Sequence, residues 1–362
     1  VAVRHLILNG KFLGAGQTGV HRVAGELAGA LWQLIEEGYP GTEHLRLTGL
    51  APYDGMGRAG LLALPVRRLW PLRGIAWEQL VLPLRKGRGT LLNLCNIGPV
   101  LSRDAITMIH DVQVLLTPES YRPAFRWWYR TLQPVIGRRH RHLLTVSDFS
   151  REQIVRAGLC PPERISVVHN GADHMVKIAS DSAAFDRLGL APGGYVAALA
   201  SDLPYKNIAV LMRAFARPEL AGLRLVLFGS QGQGDFERRG IAVPSAAIFA
   251  GRVSDGELRC LMERALALAF PSLTEGFGLP ALEAMHLGCP VVAAPCGAIP
   301  EVCGQAALYA DPHDEEAWVA ALIRLRDEAG LRDRMAEQGL AQASRFTWRN
   351  AATKLVRILE MV

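Results

Sequence analysis

Short, nearly unbroken apolar runs alternate along this chain with stretches whose apolar residues recur every three or four positions. That alternation predicts buried parallel strands interleaved with amphipathic helices. A first series of strands is predicted at His5-Leu6-Ile7-Leu8-Asn9, at Leu91-Leu92-Asn93-Leu94, and over residues 105–109, 143–147 and 165–168. Val20, Val23, Leu27, Leu31 and Leu34 predict a helix ending near Gly38. Residues 50–65, rich in glycine and proline, predict an exposed connection. A polar stretch through Ser182, closing near Pro192-Gly193-Gly194, reads as a linker. A second series follows, with strands over residues 195–199, 223–228, 247–250, 265–270, 290–294 and 307–310, and an amphipathic tail begins at Trp318. The two similar α/β halves are the only repetition.

One stretch organises the rest. After the strand ending at Phe270, a loop carries Gly276 and Gly278, and Pro280 marks the opening of a helix. Glycines let the backbone approach a ligand closely. The free N–H groups and positive dipole end of the helix favour an anion there. Glu275 in the loop and Glu283, read as lying in the first helical turn, bracket the construction. Carboxylates suit neutral hydroxyls rather than phosphate, so the pattern fits a ligand with a phosphate between two hydroxyl-rich ends, as in a nucleotide sugar. The competing reading is a plain strand–loop–helix crossover with two solvated glutamates. In Pro204-Tyr205-Lys206-Asn207, Lys206 stands where a phosphate charge would need a partner.

The chain has 362 residues, half of them hydrophobic and a fifth charged, which suggests two folded domains and no extensive disorder. No apolar run reaches the ~18 residues of a membrane span, and the first residues lack the apolar core of a signal peptide. The expectation is a cytoplasmic protein with six reduced cysteines, at most peripheral at the inner face of the plasma membrane. Net charge is +6 but uneven: 21 basic residues face 13 acidic ones through Met175, and 19 face 21 thereafter. Between Tyr121 and His142, six arginines are interleaved with Tyr121, Phe125, Trp127, Trp128 and Tyr129. The run reads either as a solvated helix face or as a contact with an anionic membrane. No nucleic-acid motif accompanies it, so nucleic acid is not an expected partner.

Glu275-x7-Glu283 with Gly276-Phe277-Gly278 inside resembles the donor site of the GT4-type retaining glycosyltransferases of the GT-B fold. Further resemblances are Thr18-Gly19-Val20-His21-Arg22, Lys206-Asn207, Asn170-Gly171-Ala172-Asp173 and Arg252-Val253-Ser254, and Trp77-Glu78-Gln79 is similar to bacterial mannosyltransferase-like members. The sequence Gly14-Ala15-Gly16-Gln17-Thr18-Gly19 also spells the dinucleotide fingerprint. Its distance from the strand and the lack of a downstream acid after a second strand argue against a nicotinamide site, and the resemblance implies instead a glycine loop near donor and acceptor.

The resemblance implies an α/β fold with two doubly wound, Rossmann-like domains facing a cleft: 1–175 on the acceptor side, a linker 176–193, 194–344 holding the nucleotide sugar, and a tail 345–362 returning to the first domain. It implies transfer with retention from a nucleoside-diphosphate sugar, GDP-mannose favoured, to a glycan or polyprenol-linked acceptor in surface polysaccharide synthesis. The implied donor-binding set is Gly16, Lys206, Arg252, Val253, Glu275, Gly276, Phe277, Gly278, Leu279 and Glu283. His110, Lys206 and Glu275 are the implied catalytic residues. Glu283 would accept from ribose hydroxyls, Lys206 would balance the diphosphate, and Glu275 and His110 would hold the sugar. The competing reading of His110 is a structural histidine capping the strand with Asp111 as partner. No Asp-x-Asp motif occurs, so no metal or other cofactor is expected. One departure is Ala200, where many members carry an arginine; Arg252 is a candidate replacement. An acceptor-independent nucleotide-sugar enzyme and a non-catalytic sugar-nucleotide binder are the alternatives.

Overall fold

The structure, a computed structural model, describes residues 3–14, 16, 18–53, 64–70 and 72–362. Positions 15 and 17 of the glycine loop, and 54–63 of the predicted connection, lie outside the described residues. The chain divides into two compact units: one runs through Gly171 and includes Thr347–Val362, the other is Ala172–Phe346.

Among the described residues, unit 1 is built on a seven-stranded parallel sheet in the order β3-β2-β1-β4-β5-β6-β7. These strands are β1 (Arg4–Asn9), β2 (Leu45–Pro52), β3 (Val66–Leu69), β4 (Thr90–Asn93), β5 (Ala105–Met108), β6 (His142–Thr145) and β7 (Ile165–Val167). β4, β5 and β6 are buried throughout, as strands covered on both faces must be. Helix α1 (Gly19–Glu36) buries Val23, Leu27, Leu31 and Leu34 along one stripe and is capped by Thr18. Helix α2 (Pro123–Arg139) buries Leu132, Gln133, Ile136 and Gly137. Two expectations are corrected here. Leu50, Ala51 and Pro52 belong to a buried strand rather than an exposed connection, because the glycine and proline of β2 mimic a turn while its register follows β1. The basic run also divides: α2 ends at Arg139, and Arg141 turns to pair with Asp104 at 3.3 Å.

Unit 2 holds a six-stranded parallel sheet ordered β10-β9-β8-β11-β12-β13. Its strands are β8 (Tyr195–Leu199), β9 (Arg224–Phe228), β10 (Ala247–Gly251), β11 (Ala267–Phe270), β12 (Val291–Ala293) and β13 (Ala307–Tyr309). The helices that bear on the site are α3 (Ile208–Ala214), α4 (Asp255–Arg264) and α5 (Leu279–His286). Ser254 and Glu257 close a reciprocal cap on α4, an arrangement that contributes about 1 kcal/mol.

The stretch 176–193 is not a free linker. It holds a short helix, Ala183–Arg187, packed against α4. Asp181 N donates to Gly256 O at 3.0 Å, and Arg259 reaches the carbonyls of Val176 and Ile178. Its polar composition reads as linker because its order comes from these distant backbone partners. The last helix, α6 (Trp348–Met361), packs on α1 and belongs to unit 1. At the crossings Gly171 is tightly placed: a Cβ there would lie 2.2 Å from Trp348 N.

Candidate active site

In an open parallel sheet, ligands gather at the carboxyl ends of the two strands from which the chain departs in opposite directions. In unit 2 these are β8 and β11, which pair in parallel through Val196 with Ala267 and Ala197 with Leu268 and are neighbours in the sheet although distant in sequence. The loop after β8 carries Lys206 and the loop after β11 carries Glu275. Leu273 N donates to Tyr205 O at 2.8 Å and ties the two loops together. Asn207 extends the tie. Its backbone is left-handed (φ 53°), and its amide donates to the carbonyls of Pro271 (3.2 Å) and Pro312 (2.7 Å).

Lys206 Nζ donates to Glu275 Oε1 at 2.6 Å, with side chains 16 % and 12 % exposed. The ammonium also lies 5.1 Å from the Tyr205 ring centre and 5.9 Å from that of Phe270. The pair is therefore shielded from water and flanked by aromatic faces, unlike the weak ion pairs of open surfaces. The main chain of Glu275 is held from behind: Ala298 N donates to its carbonyl at 3.0 Å. A Cβ on Gly297 (φ 63°) would lie 2.5 Å from Glu275 N, so only glycine fits. Sequence reasoning gave Gly297 no role, since the contact joins loops after different strands.

Gly278 (φ 94°) precedes α5, and a Cβ there would lie 2.4 Å from Ile299 Cδ1. Gly276 and Phe277 are buried, and the Phe277 ring meets Phe346 edge-on at 6.1 Å. Phe277 thus packs with its side chain; Leu279, half-buried, is the first residue of α5. Glu283 is the fifth residue of α5, in its second turn rather than the first, because the helix already starts at Leu279. It is 6 % exposed and lies 3.3 Å from His174 Nε2. His174 escaped sequence reasoning because its partner is 109 residues away and no local spacing joins them.

Arg252 is exposed and Val253 half-buried on the turn after β10, two strands from β8, or about 10 Å along the sheet. Gly229 N donates to Gly251 O at 2.9 Å and fixes the start of that turn. Ala200 is buried, with its carbonyl 2.9 Å from where a Gly229 Cβ would be. The loop beyond it does hold a guanidinium: Arg239 Nε pairs with Asp202 at 2.6 Å. No sequence spacing pointed to this contact.

His110 and Gly16 lie in unit 1. The predicted partnership of His110 with Asp111 is replaced by another. His110 Nε2 donates to Leu94 O at 2.9 Å and its backbone N–H to Asn96 Oδ1 at 2.7 Å, while Asp111 accepts from Gln113 N. A carbonyl can only accept, so the ring carries its proton on Nε2 and Nδ1 is the acceptor. Burial pushes the imidazole down to about 4 against the pull of the Leu94 carbonyl. Gly16 is exposed, and its carbonyl accepts from His21 Nδ1 at 2.7 Å.

The switch point of unit 1, between β1 and β4, holds a network the sequence did not disclose. Glu78, 1 % exposed, accepts from Asn9 at 2.8 Å and from Lys11 at 2.5 Å. Asn9 also donates to Asn93, and Asn93 to Thr107. A buried carboxylate must be paired in this way to persist. The six cysteines are free. Burial pushes the thiols of Cys95, Cys289 and Cys303 up to about 12, which makes them poor nucleophiles. Among the described residues no helix is long and apolar enough to cross a membrane.

Comparisons with known proteins bear on the family and the fold. Residues 193–328 match the family model described as glycosyl transferases group 1. The chain is 32% identical over 271 residues to O-antigen chain mannosyltransferase B of Escherichia coli, covering 71% of this chain and 70% of that protein. It is 31% identical over 284 residues to the MMP alpha-(1->4)-mannosyltransferase of Mycolicibacterium hassiacum, covering 75% of this chain and 67% of the relative. The fold is shared with sucrose-phosphate synthase from Thermosynechococcus elongatus at a TM-score of 0.72 and 16% identity, over 99% of this chain and 98% of that one. With its two parallel sheets and these relatives, the chain belongs to the group 1 glycosyl transferases, the GT4-type enzymes of the GT-B fold, and is a hexosyltransferase.

Proposed function

We propose that this enzyme transfers mannose, with retention, from a nucleoside-diphosphate donor (GDP-mannose first) to a glycan or lipid-linked acceptor in surface polysaccharide synthesis. The observation that carries the reading is the Lys206–Glu275 pair at the switch point of unit 2, beside the opening of α5. The names of the relatives support mannose as the sugar and an O-antigen-like glycan as the product.

Lys206 and the main-chain N–H groups around Gly276–Gly278 stabilise charge on the leaving diphosphate. Glu275, once Lys206 turns to phosphate, accepts from a hydroxyl of the transferred sugar. Glu283 accepts from ribose hydroxyls, and Arg252 and Val253 serve the nucleoside end. His110 offers Nδ1 as a neutral acceptor for a sugar hydroxyl, and Gly16 approaches the donor through its main chain. With no covalent nucleophile proposed among the described residues of the site, the acceptor oxygen attacks the anomeric carbon on the face the diphosphate leaves. The departing phosphate oxygen takes the acceptor's proton. Lysine and helix N–H groups supply the charge balance, so no metal is required.

The protein associates peripherally with anionic membranes through α2. Trp127 is 66% exposed, Phe125 is 42% exposed, and Arg130 on the helix and Arg122 just before it are exposed. Product analysis with GDP-mannose and a lipid-linked acceptor tests the reading: an α-linked product formed only when acceptor is present is expected. Donor breakdown without acceptor would favour an acceptor-independent enzyme, and binding without turnover a sugar-nucleotide binder.

A further inference from the structure

The amino ends of the unit 1 strands, the edge away from the switch point, line an open cavity of about 680 Å³. Arg4 opens β1, Thr90 opens β4, Arg141 stands before β6, and Lys86 and Arg88 lie on the turn before β4. No acidic side chain lines it. The acid beside it, Asp104, pairs with Arg141 at 3.3 Å and accepts from the Thr90 hydroxyl at 3.0 Å. Four cationic side chains stand against this one acidic side chain, so positive side-chain charge is in excess here.

The orientation of Arg4 says what the cavity is shaped for. Its Nη1 donates to the main-chain oxygens of Leu359 and Val362. Its Nε and Nη2 are buried and meet no hydrogen-bond partner among the described residues. These two N–H groups form one edge of the guanidinium, the fork that matches two oxygens of a tetrahedral or planar oxyanion. Burial and the nearby Arg141 guanidinium both push the Arg4 pKa down, with Asp104 only partly offsetting them, so like charges are crowded here. The Lys86–Thr90 turn is pressed onto β1, since a Cβ on Gly89 would lie 2.5 Å from Ile7 Cγ1. Lys86 uses one of its three hydrogens on Gly89 O at 2.8 Å.

We propose that this cavity is a second anion site that binds a phosphomonoester or diphosphate group, gripped on two oxygens by Arg4 and neutralised by Lys86, Arg88 and Arg141. Several cationic groups and a two-oxygen fork on Arg4 suit a multiply charged phosphate better than a single carboxylate. The group can come from a soluble phosphate compound or from a phospholipid headgroup.

The test is calorimetric titration of the full chain with inorganic pyrophosphate, in a Lys206→Ala background that silences the proposed donor site. Saturable binding is expected, weakened at least ~10-fold by Lys86→Ser with Arg88→Ser and unchanged by Arg138→Ser. Circular dichroism would establish that the double variant is folded. No binding in the Lys206→Ala background, or binding indifferent to the double substitution, overturns the proposal. Flotation with phosphatidic acid vesicles then assigns the source: loss of flotation in the double variant identifies a lipid headgroup, and unchanged flotation a soluble phosphate.

Discussion

Lys206 Nζ and Glu275 Oε1 stand 2.6 Å apart, so each largely buried charge is the other's partner until a ligand arrives. Donor phosphate has to draw the ammonium away, which frees the carboxylate for the sugar. Lys206→Ala should lower kcat about 10²–10³-fold, the range for loss of one transition-state donor. It should also lower Tm, because Glu275 is left without a counter-charge. Adding Glu275→Gln should restore Tm but not turnover. Thermal unfolding together with steady-state kinetics separates the two effects; recovery of turnover in the double variant would remove Lys206 from the chemistry.

Glu283 and His174 form the second buried pair of this unit. Glu283→Gln keeps the volume and one acceptor oxygen but removes the charge. Donor affinity, measured by calorimetry, should fall about tenfold, or ~1.4 kcal/mol. Unchanged affinity would place the ribose elsewhere.

Gly278 and Gly297 are constrained in different ways. Gly278→Ala meets a side-chain tip, Ile299 Cδ1, and adopts an unfavourable positive φ. Pairing it with Ile299→Ala should recover part of the lost stability and leave the dihedral cost of ~1–2 kcal/mol. Gly297→Ala meets the Glu275 main chain, which no such partner can relieve. Denaturant unfolding of the three variants should show rescue for the first glycine only.

His110 and His140 are both buried, and burial holds both near 4 against an ordinary 6.5. An unfolded chain takes up these protons at higher pH than the folded one, so stability is fully present above about pH 6.5 and is lost as pH falls toward 4. The full effect is on the order of 3 kcal/mol for each histidine. His110→Gln should flatten the slope of stability against pH across that window. Because His110 is neutral throughout, the pH–rate profile should show no limb near 6.5 that disappears in this variant.

Turnover should survive EDTA, since Lys206 and the α5 amides are proposed to carry the charge that a divalent ion would otherwise balance. An activity assay in chelator, then with added manganese, checks this directly; strict dependence on manganese would require a ligand set the donor loops do not supply.

Much of this fold was legible because parallel strands covered on both faces must be apolar, as at Ala267–Phe270 and Val291–Ala293. β2 was not: it contains Gly49 and ends at Pro52, which locally signal a turn, and β1 decides its register. Within the site, Lys206, Glu275 and Gly278 could be read because one short loop each encodes their geometry. His174, Gly297, Asn207 and Glu78 act through partners in loops far along the chain, so their roles emerge only once the sheets are assembled.

The placement of α6 reverses the usual order of biogenesis. Unit 2 is continuous in sequence, whereas unit 1 needs Thr347–Val362 to cover α1. On the ribosome, the later-encoded unit can finish first, while the earlier one waits with α1 lacking its partner helix. A pause or a nonsense codon near position 346 would therefore harm the half of the protein already made, and chaperone demand should concentrate on that half.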